Sequence, residues 1–247
     1  MKVIKGAGFT IIETMLFLAI SCLLFVAILA NTGNSVNVQR YHDSVYSLSS
    51  FLQKQLSDIT NVNNDMIKND CSTSVNVPRG QSDCVILGSY ITSSDNGQSI
   101  IVKKVIGTDS SNYTVATDDI GIFKQFNIQV LQSSVNNDNV VADNYDLEWG
   151  VVLKNSKDNG SGVARFSILI LRSPSSGVIR TFIDNTSENK DDAKLRLMLD
   201  DMYAAQPARI CVDSNGLFSG PMSAVLIHAS ASAQSDIEVV GDKDSGC

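Results

Sequence analysis

Residues 9–30, FTIIETMLFLAISCLLFVAILA, contain only Thr10, Glu13, Thr14 and Ser21 as polar side chains. A run of this kind needs hydrocarbon or other apolar helices around it. As an α-helix it reaches roughly 33 Å at about 1.5 Å per residue, enough to cross the hydrocarbon layer of a bilayer. Lys2 and Lys5 precede it and no basic cluster follows directly. The positive-inside bias therefore predicts a cytoplasmic N-terminus and an exported remainder. Glu13 is the anomaly. A carboxylate in this setting costs about 2.5–3.5 kcal/mol near the bilayer centre and less toward the boundary. Such a group needs a partner, and no cation stands on the same helix face within a turn or two.

A second pattern follows the apolar run. Tyr41, Val45, Leu48, Leu52, Leu56 and Ile59 recur at steps of three and four, with Gln39, Arg40, Ser47, Gln53, Lys54 and Asp58 mostly off that stripe. This is one side of an amphipathic helix. No proline interrupts residues 9–59, and Gly33 is the one weak point, at about 1 kcal/mol against Ala. A single helix over 9–60 is expected, with 9–30 in the membrane and 36–60 packed on a globular domain.

Past the helix, 61–247 is rich in Ser, Asn, Asp and Thr, with short β-branched stretches between turn-forming segments. Strands are expected at 85–91, 99–106, 122–131, 145–154, 163–171, 177–183, 209–213, 224–229 and 236–240. A further helix is expected over 189–206, with Leu195, Met198, Leu199 and Met202 on one face and Pro207 ending it. The fold class is α+β: a long N-terminal helix against one face of an antiparallel sheet in an extracytoplasmic domain.

The net charge of −7 gives no general attraction for nucleic acid or anionic lipid. The arginines at 165, 172, 180 and 209 would favour DNA only if they gathered on one surface, and a solvated or salt-bridged face is the expectation. Two histidines, His42 and His228, stand far apart without ligand-spaced neighbours, which gives no metal site or catalytic triad. His42 is placed on the exposed side of the helix and His228 in or beside a strand. Asp213-Ser214-Asn215-Gly216 and Asp242-Lys243-Asp244-Ser245-Gly246 are fragments of calcium-loop pattern without a terminal bidentate acid, and read as turns. No residue supports an enzyme, and no cofactor is implied.

Of five cysteines, Cys22 lies in the apolar run. Cys71, Cys84, Cys211 and Cys247 remain on the oxidising side and can pair in three ways. Local closure favours Cys71–Cys84 and Cys211–Cys247, and a loop the size of the first gives about 3 kcal/mol in the chain-entropy picture.

The N-terminus resembles that of the type IV pilins and the pseudopilins of type II secretion. The residues that carry the resemblance are Gly8, Phe9, Thr10, Ile11, Ile12 and Glu13 at the head of the apolar helix. It covers about the first 30 residues strongly and the amphipathic extension moderately, and says little about 61–247. It implies a leader at 1–8, cleaved between Gly8 and Phe9 by prepilin peptidase, which also methylates the new amine. It implies that Glu13 neutralises the N-terminus of a neighbouring subunit during assembly on an inner-membrane platform. A C-terminal disulfide is common in the family, and Cys211–Cys247 fits it.

The chain departs from the family pattern in three places. Ala7 stands where Lys or Arg is common, no helix-bending proline occurs late in the apolar segment, and the chain is longer than many major subunits. The expectation is a minor pilin whose partners are membrane lipid and other pilin subunits. The alternatives are a pseudopilin of a secretion pseudopilus and a static, single-span surface binding protein. An ordinary signal peptide is disfavoured by Glu13 and by the poor cleavage context around Ala30.

Overall fold

The computed structural model describes residues 10–61, 84–109, 118–130, 143–155, 162–185, 192–241 and 244–247. One helix, α1, runs unbroken over Ile11–Thr60, 50 residues and thus about 75 Å long. It passes through Gly33 without a break. Every residue of the predicted stripe is buried, from Tyr41 to Ile59, and His42 is exposed.

The strands are β1 (Cys84–Ser93), β2 (Ser99–Asp109), β3 (Phe126–Val130), β4 (Asp143–Asp146), β5 (Val152–Asn155), β6 (Ser167–Arg172), β7 (Ile179–Asp184), β8 (Ala208–Asp213), β9 (Ser223–Ile227) and β10 (Ile237–Val240). Among the described residues three short α-helices accompany them, α2 (Asp119–Gln125), α3 (Asp192–Leu197) and α4 (Asp201–Ala204), with 3-10 turns at Glu148–Gly150 and Gln234–Asp236. All the pairings are antiparallel. They form two sheets rather than the single sheet expected. One has the order β3-β2-β1-β6-β7, with β4 sharing the outer edge of β2 with β3; the other has the order β10-β9-β8-β5.

The amphipathic half of α1 packs against both sheets. Its stripe joins Ile91, Ile100, Ile168 and Ile170 of the first sheet and Leu153, Ile210, Val225 and Ile237 of the second in one core. Polar contacts fix its rotation. The Tyr41 hydroxyl donates to Val212 O at 2.7 Å and accepts from Ser223 N at 2.6 Å, which ties the helix to β8 and β9. Gln53 Nε2 donates to Ile237 O at 2.9 Å, and Phe51 stacks on Tyr145 at 4.5 Å. Tyr41→Phe keeps the ring but strands a buried carbonyl and a buried N–H. Chemical denaturation should show a loss of about 1–3 kcal/mol; an unchanged midpoint would mean that the hydroxyl does not bridge these strands.

A second core lies on the other face of the first sheet. There Leu87, Tyr90, Leu169, Leu171 and Phe182 meet Phe123 of α2 and Leu195, Met198 and Leu199 of the α3 region. The sheet is therefore covered on both faces. This explains why the run Ile168-Leu169-Ile170-Leu171 is continuously apolar where a half-solvated strand would alternate.

Four expected elements differ. Residues 122–125 are helical: Asp118 caps α2 through Gly121 N at 3.3 Å, and Ile120 and Phe123 turn inward together. The expected strand at 145–154 divides between the two sheets. Trp149 and Gly150 adopt positive φ values of 60° and 72°, a conformation no strand can carry, and the chain crosses from β4 to β5 there. In 163–171, Val163 makes only an isolated bridge to Lys154 and the ladder begins at Ser167. The helix at 189–206 splits because Asp200 accepts from Met202 N at 3.1 Å and starts a new turn. Met202, expected on the buried face, is exposed as a result; residues 189–191 lie outside the described residues.

Candidate functional site

The site with the most to explain is the free end of α1. Between Ile11 and Leu29 the large apolar side chains are 51–78% exposed. Nothing among the described residues covers them. Among the described residues this is the one helix long and apolar enough to cross a membrane. The free Cys22 is on it.

Thr10 is the N-cap, with extended φ −80° and ψ 153°. Its Oγ1 accepts from Glu13 N at 3.3 Å, and a Glu13 carboxylate oxygen accepts from Thr10 N at 3.5 Å. This is a reciprocal capping box, which satisfies two backbone donors that helix geometry leaves open. Within one chain, Glu13 thus has a backbone partner rather than a cation. The Thr-x-x-Glu spacing was the available signal. The carboxylate also faces the positive end of the helix dipole, which lowers the burden of carrying charge at this place. Gly8 and Phe9 lie outside the described residues.

At the far end of the chain, Cys211 in β8 is bridged to Cys247, with Cα atoms 5.9 Å apart. This expected pair is present. The pairing of Cys71 with Cys84 falls outside the described residues, because residue 71 and the Cys84 side chain are not among them.

The weaker sequence candidates resolve as follows. His228 follows β9 and meets Glu238 on the surface at 3.1 Å. Asp213 Oδ1 accepts from Asn215 N at 2.6 Å in a tight turn with Asn215 at φ 50° and Gly216 at φ 86°. Of the other calcium-like fragment, Asp242 and Lys243 lie outside the described residues. No cluster of three His, Cys, Asp or Glu side chains able to hold a metal occurs among the described residues.

The four arginines divide. Arg180 pairs with Asp119 at 3.5 Å. The Asp119 carboxyl is held below its usual range first by the Ser176 hydroxyl; burial opposes this next, and Ser173 and Arg180 add to the lowering. Arg172 Nε donates to Gly177 O at 3.3 Å. Arg165 and Arg209 instead line a shared cleft together with Lys154, a residue no sequence pattern singled out.

Fold and site together define an α+β protein whose globular part is carried on a helix able to span a membrane. The chain matches no family model, no curated protein and no solved structure.

Proposed function

We propose that this chain is a minor pilin-like structural subunit of a type IV filament, cut between Gly8 and Phe9 and assembled through α1. The observation that carries the reading is the division of one unbroken helix. Its second half is packed in the core of a folded domain, while its first half is apolar and, among the described residues, meets no other part of the molecule. Such a helix is stored in lipid and, on leaving it, needs other helices of the same kind. In that bundle Glu13, the third residue of α1, pairs with the freed amine of Phe9 on a neighbouring subunit. The two charges, each costly in an apolar surrounding, become tolerable together.

The rest of the chain is consistent with this reading. A disulfide fits an exported domain on the oxidising side of the membrane. The acidic exterior disfavours nucleic acid as a ligand. The work proposed is mechanical and adhesive rather than enzymatic, with peptidase, motor and platform supplied by other chains.

Intact-mass analysis of membrane and sheared-filament fractions tests the proposal. The expected mature mass lacks residues 1–8 and carries one extra methyl group, and Gly8→Val should leave the full-length precursor uncut. A working form that retains Met1, or that begins beyond Asn31, would overturn it. Presence of the chain in sheared surface filaments separates a pilus from a secretion pseudopilus.

A further inference from the structure

The cleft beside the C-terminal disulfide has a charge pattern unlike that of the whole chain. Lys154 on β5 stands opposite Cys211 on β8, and Arg209 lies two residues along the same strand. Lys154, Arg209 and Cys211 therefore share one sheet face. The neighbouring residues Ile210 and Val212 point the other way, into the core beneath α1. Arg165 joins them from the segment before β6. The open cleft has a volume of about 200 Å³, and Asn185, Phe166 and Pro207 complete much of its wall.

Arg209 is held in place by the tail. Its Nη1 donates to Asp244 O at 3.1 Å and also to Ser245 O. Gly246, at φ 62°, lies against the same guanidinium, and a Cβ there would come within 2.1 Å of Nη1. The disulfide fastens Cys247 immediately beyond. The guanidinium is thus oriented before any ligand arrives, which reduces the entropy lost on binding.

Lys154 and Arg165 have no carboxylate partner, and no carboxylate lines the cleft, among the described residues. A chain of net charge −7 has acids in excess, yet the described residues lining this cleft include three cations and no acid. An anion in the cleft would meet three cationic side chains and, among the described residues, no competing carboxylate.

We propose that this cleft binds a small organic anion the size of a sugar acid. The carboxylate sits among Lys154, Arg165 and Arg209, and the ring lies toward Asn185 and Pro207. The volume exceeds what an inorganic ion fills, and the amide and prolyl wall suits a hydroxylated ring. The cleft uses neither Glu13 nor the apolar helix, so its test is independent of filament assembly.

Isothermal titration calorimetry of the oxidised full chain in neutral detergent provides that test, with D-glucuronate, D-glucose and inorganic phosphate as probes. Glucuronate should bind, and bind more weakly as salt rises. Arg165→Ala and Lys154→Ala should each weaken it about tenfold, which is about 1.4 kcal/mol, without changing the melting temperature. Glucose should not bind, and phosphate should bind at least about tenfold more weakly than glucuronate. Absence of glucuronate binding, or binding indifferent to both substitutions, overturns the site. Equal binding of glucose removes its electrostatic basis, and equal binding of phosphate overturns the assignment to a ring-sized ligand. Arg209 is left intact because it also secures the tail.

Discussion

Gly88→Ala is expected to lower the stability of the folded domain by about 3 kcal/mol, a fall in melting temperature of roughly 6–12 °C for a chain of this size. Gly88 lies just after a register shift in β1, at the point where β1 pairs with β6 opposite Leu171. A methyl group there would stand 1.9 Å from the carbonyl oxygen of Ile170 and 3.0 Å from Leu171 Cα. Both are backbone atoms in the middle of a sheet. They cannot swing aside as a flexible side chain would. Relief requires β1 and β6 to separate, and each face of that pair belongs to a packed core. Gly241→Ala is the matched control, since an added methyl meets nothing within 4 Å; it should move the melting temperature by less than about 2 °C. Thermal unfolding followed by circular dichroism of the oxidised chain reads both. If Gly88→Ala melts with the wild type, β1 and β6 are not paired in this register.

Glu13→Gln should abolish incorporation into filaments while leaving cleavage and the helix intact. The proposed function gives this residue a second role, separable from helix capping. In one chain, its carboxylate accepts from Thr10 N and completes the capping box. In the proposed filament, its negative charge answers the amine of a neighbouring Phe9. Gln preserves the first function, because an amide oxygen serves at this capping position as well as a carboxylate does. It removes the second, because no charge remains to compensate a cation in an apolar surrounding. Glu13→Ala removes both, at a local loss of about 0.5–2 kcal/mol in helix capping. Quantifying each variant in membrane and sheared fractions distinguishes the two. If Gln enters filaments normally and Ala does not, Glu13 acts by capping its own helix, and the charge-pairing account is wrong. If both enter normally, the residue has no part in assembly.

The two predictions concern parts of the chain that differ in how openly the sequence displays them. The helix was legible because its signals are local and repeated. The three- and four-residue spacing from Tyr41 to Ile59 fixes which side is buried whatever lies opposite, and every member of that stripe is buried. The apolar residues from Ile11 to Leu29 likewise need no tertiary partner to declare themselves. The capping box is equally local, with Thr10 and Glu13 three apart, a spacing that a reading for charge partners alone does not register.

The sheets were legible as strands and illegible as sheets. Alternation along one strand tells which residues share a face, but not which sheet receives them. Trp149 and Gly150 decide that β4 and β5 part company, through a left-handed turn stabilised by contacts remote in sequence, including Asn215 Nδ2 to Gly150 O at 3.1 Å and Arg40 over the Trp149 ring at 4.7 Å. The cleft has the same origin: Lys154, Arg165 and Arg209 are scattered along the chain and line one cleft because β5 pairs with β8 and Val163 bridges to Lys154.

By itself the sequence determined the long helix, its buried stripe and its apolar first half, because each follows from short-range periodicity; it left three cysteine pairings open, and the fold brings Cys211 to Cys247. Tertiary structure alone decided that there are two sheets rather than one, that the first is buried on both faces, and that three cations converge beside the disulfide. Those outcomes depend on which distant segments pair, and pairing free energy is a property of both partners together rather than of either stretch of chain.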